Sequence, residues 1–214
     1  WLKPLSTPAG GAWIYDISAT NYGDRIYANF QSNRYISFNY LGYVYSPVAL
    51  TLGTWYHICL TFGNGNMILY WNGAYSTALA QDTTNVTLAN KFSIASLVNG
   101  NGPNINAEFD DLRIYSSALS AAQVQSIYAA QAVPSRVAHV SQGLILYVPF
   151  DGSTTDTIAS IVPTITGSVT YDSINSKYGQ SVIITNTPGG NATNYLQYSK
   201  TIDIAVTAVS YTHL

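Results

Sequence analysis

The dominant pattern along this chain is an alternation with a period of two. In "TWYHICLTF" (54–62), Tyr56, Ile58, Leu60 and Phe62 share one face, while Trp55, His57, Cys59 and Thr61 share the other. "MILYWNG" follows through "GNGN", a Gly/Asn turn that predicts a hairpin joining Phe62 to Met67. Asn72-Gly73 predicts a second hairpin with type I′ geometry, because both residues tolerate positive φ. "RIYANF", "RYISFNYLGYVY", "KFSIAS" and "AEFDDLRIY" extend the series of short strands. Beyond a linker come "LILYVPF", "TITGSVTY", "QSVIIT" and "YLQYSKTIDIAV". Many short strands separated by Gly, Asn and Pro turns predict an all-β fold, an antiparallel β-sandwich or jelly roll.

One segment breaks the pattern. In "ALSAAQVQSIY" (118–128), Ser120 is placed to cap a helix, with Gln123 three residues on to complete a capping box. Leu119 and Val124 have the spacing of a hydrophobic staple, and Val124, Ile127 and Tyr128 form one apolar stripe. The spacing predicts one short capping α-helix from Ser120 to about Tyr128, lying on the sandwich. After it, "AAQAVPSRVAHVSQG" (129–143) has no strong period and contains Pro134, which reads as a linker over 129–142.

Composition narrows the function. Charge is sparse, with eight Lys and Arg against ten Asp and Glu and a net charge of −2. No basic cluster exists, which argues against nucleic acid as a partner. No apolar run has membrane-spanning length, which argues against helical insertion. The single cysteine, Cys59, allows neither an internal disulfide nor a cysteine zinc site. Eighteen Tyr among abundant Asn, Ser and Thr suit a surface-exposed β protein. The tripeptides at Asn85 and Asn191 match glycosylation sequons.

"GTWYHICLTFGNGNMILYWNG" followed by "FDDLRIYSSALSAAQVQSIY" resembles the laminin-G-like jelly roll of the concanavalin A-like lectin and glucanase superfamily. The shared features are a Trp-x-His strand, a strand ending in Asn-Gly, and an Asp-Asp-x-Arg-Ile-Tyr strand leading into a Leu-Ser-capped helix. The resemblance covers about residues 1 to 128. "GLILYVPFDGSTTDT" and "KYGQSVIIT" resemble the beginning of the same domain type, and "WLKP" resembles a strand that would follow them. The chain therefore reads as a fragment of a tandem array that opens and closes in mid-domain. Residues 1–128 form a domain lacking its N-terminal strands, and 143–214 form the N-terminal part of a second. The final "YTHL" departs from the family's Trp-containing strand. If the second part completes the first in permuted order, "LILYVPF" should lie beside "FDDLRIY".

The resemblance also frames the acids. Hydrolases of this superfamily use paired carboxyl groups on one strand, in a Glu-x-Asp-x-Glu pattern. Glu108-Phe109-Asp110 begins that pattern, but Leu112 and Arg113 occupy its end, and Glu108 is the chain's one glutamate. The reading is non-catalytic. Asp111 and Arg113 are spaced to pair on one strand face. Relatives often hold a structural calcium near their terminal strands, and Asp110, Asp151 and Asp156 lie in the matching motifs. The alternative for Asp151-Gly152 is a turn, and for Asp156 a loop-stabilising hydrogen bond.

Carbohydrate binding would use aromatic platforms with convergent amides. Tyr43, Tyr45, Tyr70 and Trp71 are the candidates among the tyrosines and tryptophans; Tyr43 and Tyr45 flank Val44, which puts both rings on one face. Strand packing is the alternative for each ring, and for His57 it is the stronger reading. The sequence thus points to a non-catalytic adhesion module, extracellular or on a cell or virion surface. Its partners would be carbohydrate or a glycoprotein and neighbouring repeats of the same chain. The alternatives are a structural spacer, or an accessory domain of an enzyme outside this fragment.

Overall fold

The computed structural model describes residues 1–18, 25–80, 89–132, 142–177, 179–186, 193–202 and 209–213. The two sequons, His139 and most of the linker lie outside them. In chain order the strands are β1 (Leu2–Pro4), β2 (Ala12–Ser18), β3 (Arg25–Phe30), β4 (Ile36–Asn39), β5 (Tyr43–Tyr45), β6 (Ile58–Gly63), β7 (Asn66–Trp71), β8 (Ala74–Ala80) and β9 (Ala89–Ile94). They continue with β10 (Ala107–Phe109) and β11 (Leu112–Tyr115), then the helix α1 (Ala121–Ala132). After it come β12 (Leu144–Val148), β13 (Thr164–Thr166), β14 (Thr170–Asp172), β15 (Ser181–Ile184), β16 (Tyr195–Ile202) and β17 (Val209–His213).

These strands form a seven-stranded sheet in the order β13-β16-β9-β2-β3-β4-β5 and a six-stranded sheet in the order β12-β11-β17-β6-β7-β8. A smaller sheet, β1-β10-β15-β14, extends the sandwich. Every pairing in all three is antiparallel. The two large sheets share one core, in which Ile17, Ala28 and Phe38 of one meet Ile58, Leu60 and Phe62 of the other. The rings of Tyr40 and Phe62 touch edge to face across it, with centroids 5.7 Å apart. Burying these alternate positions is worth roughly 1.5–3 kcal/mol for each large side chain, which explains why the period of two is so regular.

The segment after the helix enters all three sheets. β12 pairs with β11 in the register Leu112↔Val148, β15 pairs with β10, and β16 pairs with β9. Phe150, Val182, Leu196 and Tyr198 join the same core as residues 1–128. β17, which contains most of "YTHL", lies between β11 and β6.

Local turn chemistry sets the hairpins. Asn64 and Gly65, between β6 and β7, have φ of 51° and 70°, and Asn72 and Gly73 have 50° and 79°. Both are two-residue turns of the left-handed kind that strand twist favours. "AEFDDLRIY" is not one strand. It breaks between β10 and β11, where Asp111 takes a φ of 58°, so the chain leaves the small sheet and enters the large one. "TITGSVTY" breaks likewise at Gly167, sending β13 and β14 to different sheets.

The helix has the expected start and a later end. Ser120 Oγ accepts from Gln123 N–H at 3.3 Å, and Gln123 Oε1 accepts from Ser120 N–H at 2.8 Å, a reciprocal capping box. Val124 and Ile127 are fully buried with Leu119, Cys59, Tyr70 and Tyr115. The helix runs to Ala132, four residues past Tyr128, because "AAQA" consists of strong helix formers.

Candidate functional site

The two large sheets differ in what covers their outer faces. On the six-stranded sheet, α1 covers Cys59, Tyr70 and Tyr115. On the seven-stranded sheet, the register sets out polar and aromatic side chains in rows. Gln197, Ser93, Asp16, Tyr27, Asn39 and Tyr43 stand side by side from β16 to β5. Trp13, Asn29, Ser37 and Tyr45 form the next row. Their neighbours along each strand, such as Ile26, Ala28, Phe38 and Val44, point into the core.

One end of this face is closed. Val98 N–H donates to Asp16 Oδ2 at 2.9 Å, and Gln197 Nε2 donates to the Val98 carbonyl at 2.6 Å. Ser93 Oγ donates to the Ser96 carbonyl, so the loop after β9 folds over this end. Gly102 passes beside Trp13, where a Cβ would sit 2.5 Å from the indole nitrogen. Asn104 bridges to Trp13 and keeps both amide atoms buried without a hydrogen-bond partner, an arrangement that costs about 1–3 kcal/mol.

The other end is open. Tyr43 and Tyr45 are 51 % and 54 % exposed, and their rings lie 6.2 Å apart at an interplanar angle of 20°. The Tyr43 and Tyr27 hydroxyls share a hydrogen bond of 3.1 Å. Burial, reinforced by that bond, raises the Tyr27 phenol to about 12. Tyr27 in turn meets Trp13 edge to face at 5.1 Å. The Arg25 guanidinium lies 5.6 Å from the Trp13 ring and 5.5 Å from the Tyr27 ring. Both Arg25 Nε and Nη2 donate to the buried Asp16 carboxylate, at 3.1 and 2.9 Å. Such a bidentate pair holds the cation in place, and through it the two rings. The result is a chain of aromatic rings with fixed orientation on a rigid sheet. Beyond Tyr45 the face turns over the sandwich edge into a groove of about 460 Å³, lined by Tyr43, Tyr45 and Pro47 on one side and Ser76, Thr77 and Ala78 on the other.

The predicted site residues separate. Tyr43 and Tyr45 are together on this face. Tyr70 and Trp71 are not with them: they are only 5 % and 8 % exposed. Tyr70 packs under α1, and Trp71 packs against Tyr56 at 5.3 Å in the main core. Both present too little ring surface for a ligand, because β7 is an inner strand with each face covered. Trp13, Tyr27 and Asn39 were missed as site residues, although the alternation in "RIYANF" already sets Tyr27 opposite the apolar face.

The structure does not gather Asp110, Asp151 and Asp156 into one ligand set. Among the described residues, no three His, Cys, Asp or Glu side chains gather as metal ligands. Asp156 accepts the backbone N–H groups of Tyr147 and Ile158 on Oδ1 and that of Ala159 on Oδ2, at 2.7, 3.1 and 2.8 Å. Asp151 Oδ1 accepts Gln180 N–H at 2.8 Å. The Asp110 backbone pairs with that of Trp1. A calcium ion needs several free oxygens converging on one point, and the Asp151 and Asp156 carboxylates are turned towards amide protons. They do not fit that ion. Glu108 is similarly committed: its Oε1 lies 2.7 Å from Lys3 Nζ, and its Oε2 accepts from Ser181 Oγ at 3.0 Å. Asp111 and Arg113 form a buried bidentate pair at 3.1 to 3.2 Å. His57 packs between Trp1 and Tyr128 with neither ring nitrogen hydrogen-bonded. Burial holds its pKa well below the ordinary 6.5.

A family model described as the concanavalin A-like lectin/glucanases superfamily matches residues 1–125. No curated protein matches the chain. The matched region contains the Trp-x-His segment, both type I′ hairpins, the β10–β11 break and the start of the capped helix. With the antiparallel sandwich described above, it places the chain in the laminin-G-like group of the concanavalin A-like lectin/glucanase superfamily.

Proposed function

We propose that this chain is a non-catalytic adhesion module of an extracellular or surface-exposed protein, and that it binds carbohydrate, free or carried on a glycoprotein. The observation that supports the reading is the exposed Tyr43–Tyr45 pair on the uncovered end of the seven-stranded sheet. Two large rings held in water at this exposure do little for folding, whereas a pyranose ring presents C–H groups that stack well on aromatic faces. Asn39, beside Tyr43, supplies an amide of the kind that orients hydroxyl groups. The non-catalytic part of the reading rests on Glu108, whose two carboxylate oxygens are engaged by Lys3 and Ser181 in the small sheet. General acid catalysis needs a carboxyl group within reach of the glycosidic oxygen.

The test is a glycan array followed by titration of the best ligand, reading intrinsic tryptophan fluorescence and heat. Tyr43→Ala and Tyr45→Ala should each weaken binding by roughly 1–3 kcal/mol, the range of an aromatic stacking contact removed by truncation. Unchanged affinity in both variants would exclude this face. Release of reducing ends from a bound glycan, lost in Glu108→Gln, would overturn the non-catalytic reading.

A further inference from the structure

The open face does not end at Tyr45. β5 is the last strand of the seven-stranded sheet and β8 the last of the six-stranded sheet, and the groove of about 460 Å³ lies between these two edges. That volume is in the range of sites for small organic ligands. Tyr43 and Tyr45 belong to both the face and the groove, so the two surfaces are continuous. The far wall is Ser76, Thr77, Ala78 and Leu79 of β8, a strand that among the described residues pairs with β7 alone. Among the same residues its other edge pairs with no strand, and Ser76 and Thr77 bring their hydroxyls to the groove wall. The wall therefore offers many small hydrogen-bonding groups and no charge.

The path has a length set by the sheet. From Trp13 by way of Tyr27 and Asn39 to Tyr43 and Tyr45 it crosses three strand spacings, about 14 Å in all, passing beside Asn29 and Ser37, which are buried and hydrogen-bonded by Gln31. At the sandwich edge β5 and β8 approach to within 8 Å, Cα to Cα, so the groove follows directly on the face. A single sugar ring cannot span such a path. Its two rows on β2 to β5 contain no cation; Arg25 stands in the neighbouring row, and its charge is matched by the buried Asp16. Lys91 lies off the path, in the neighbouring row with Ser18 and Arg25 and two strands from the latter.

Resting on the carbohydrate reading, the geometry points to a linear, uncharged oligosaccharide that lies across the strands from Trp13 to Tyr45 and turns into the groove between β5 and β8. The groove is a second subsite, formed by Pro47 with Ser76, Thr77 and Ala78, that only the longer chains reach. The platform recognises ring faces, and the groove recognises hydroxyl groups through the β8 edge.

The experiment is an affinity ladder on the intact chain. Linear uncharged oligosaccharides from cellulose, xylan and starch, from the disaccharide upward, are titrated beside sulfated and uronic-acid chains of matched length. Affinity should rise roughly tenfold or more from the shortest to the longest bound series. Ala78→Met and Ser76→Met, each checked by thermal melting to be folded, should bring the long chain down to the affinity of the short one and leave the short one unchanged. Equal affinity for short and long chains, or long-chain binding indifferent to both variants, overturns the groove subsite while leaving the platform reading intact. Preferred binding of acidic chains overturns the uncharged class. Binding of no saccharide of any length, with Tyr43→Ala and Tyr45→Ala equally silent, overturns the carbohydrate reading and this inference with it.

Discussion

The outer faces of the two large sheets show tyrosine in two different settings. Tyr70 and Tyr115 lie on the outer face of the six-stranded sheet and are nearly inaccessible, because Leu119 before α1 and Val124 and Ile127 within it pack over them. Tyr43 and Tyr45 lie on the outer face of the seven-stranded sheet with half of their surface in water. The residue type and the strand periodicity are the same in both places. What differs is the presence of a covering element. Under the helix a tyrosine contributes packing, and without cover the same side chain is a platform. The phenols record the difference in setting: burial raises Tyr70 and Tyr115, whereas the raised value of Tyr27 also reflects its bond to Tyr43.

The sharpest way to break this comparison is to truncate both sides of it. Ile127→Ala should destabilise the fold by about 2–5 kcal/mol, because it opens a cavity in a cluster that cannot collapse freely. Tyr43→Ala should cost under about 1 kcal/mol, as for an exposed side chain. Urea unfolding of both variants decides it; comparable losses would mean that the open face is as structural as the covered one.

A second prediction concerns pH on the helix side. His57 is buried and neutral, with its folded pKa below the unfolded value of about 6.5. The unfolded chain therefore binds the proton first as pH falls. The stability from neutral His57 is fully present above about pH 6.5 and is lost as pH drops towards the folded pKa, by at most about 1.4 kcal/mol per pH unit. His57→Leu should flatten the His57 part of this slope, measured as the midpoint of urea unfolding between pH 7 and 5. An identical slope in wild type and variant would show that His57 is not the group titrating.

Two smaller effects refine the picture. Ser120→Ala removes the cap from the covering helix and should cost about 1 kcal/mol, with Gln123→Ala releasing the return bond of the box. A loss of helical circular dichroism without change in binding to the open face would show that the two faces are energetically separate. Tyr43→Phe deletes one hydroxyl and its bond to Tyr27, worth about 0.5–1.5 kcal/mol. In that variant the Tyr27 phenol should titrate closer to its ordinary 10 in ultraviolet absorbance, since the bond that helps to raise it is gone. An unchanged titration would leave burial as the whole cause.

Much of the architecture was legible in the chain because its signals are local. The two Asn-Gly turns, the alternation in "TWYHICLTF" and the capping box at Ser120 and Gln123 each depend on residues a few positions apart, and each has its expected geometry here. Local signals also set the Tyr43–Val44–Tyr45 alternation, which places both rings on one face. They did not mark where the helix ends, since "AAQA" carries no apolar stripe, although its strong helix formers extend the helix to Ala132. Nor did they reveal the break at Asp110–Asp111, because a positive φ at an aspartate leaves no mark in the sequence pattern.

Sequence by itself determined the strand-forming character of the chain, the face on which each side chain falls, and the presence of one helix, because these follow from backbone sterics and from the burial of alternate positions. Only the tertiary structure decided which face is covered. Tyr70 and Trp71 became packing residues, and Tyr43 and Tyr45 an open platform beside Trp13 and Tyr27, through strand order and the placement of α1. It also turned the Asp151 and Asp156 carboxylates towards backbone amides. These outcomes depend on contacts between residues far apart in the chain. Asp151 meets Gln180, and Glu108 meets both Lys3 and Ser181. The period of a strand carries no information about such partners, and the solvent exposure of a side chain is fixed only when they come together.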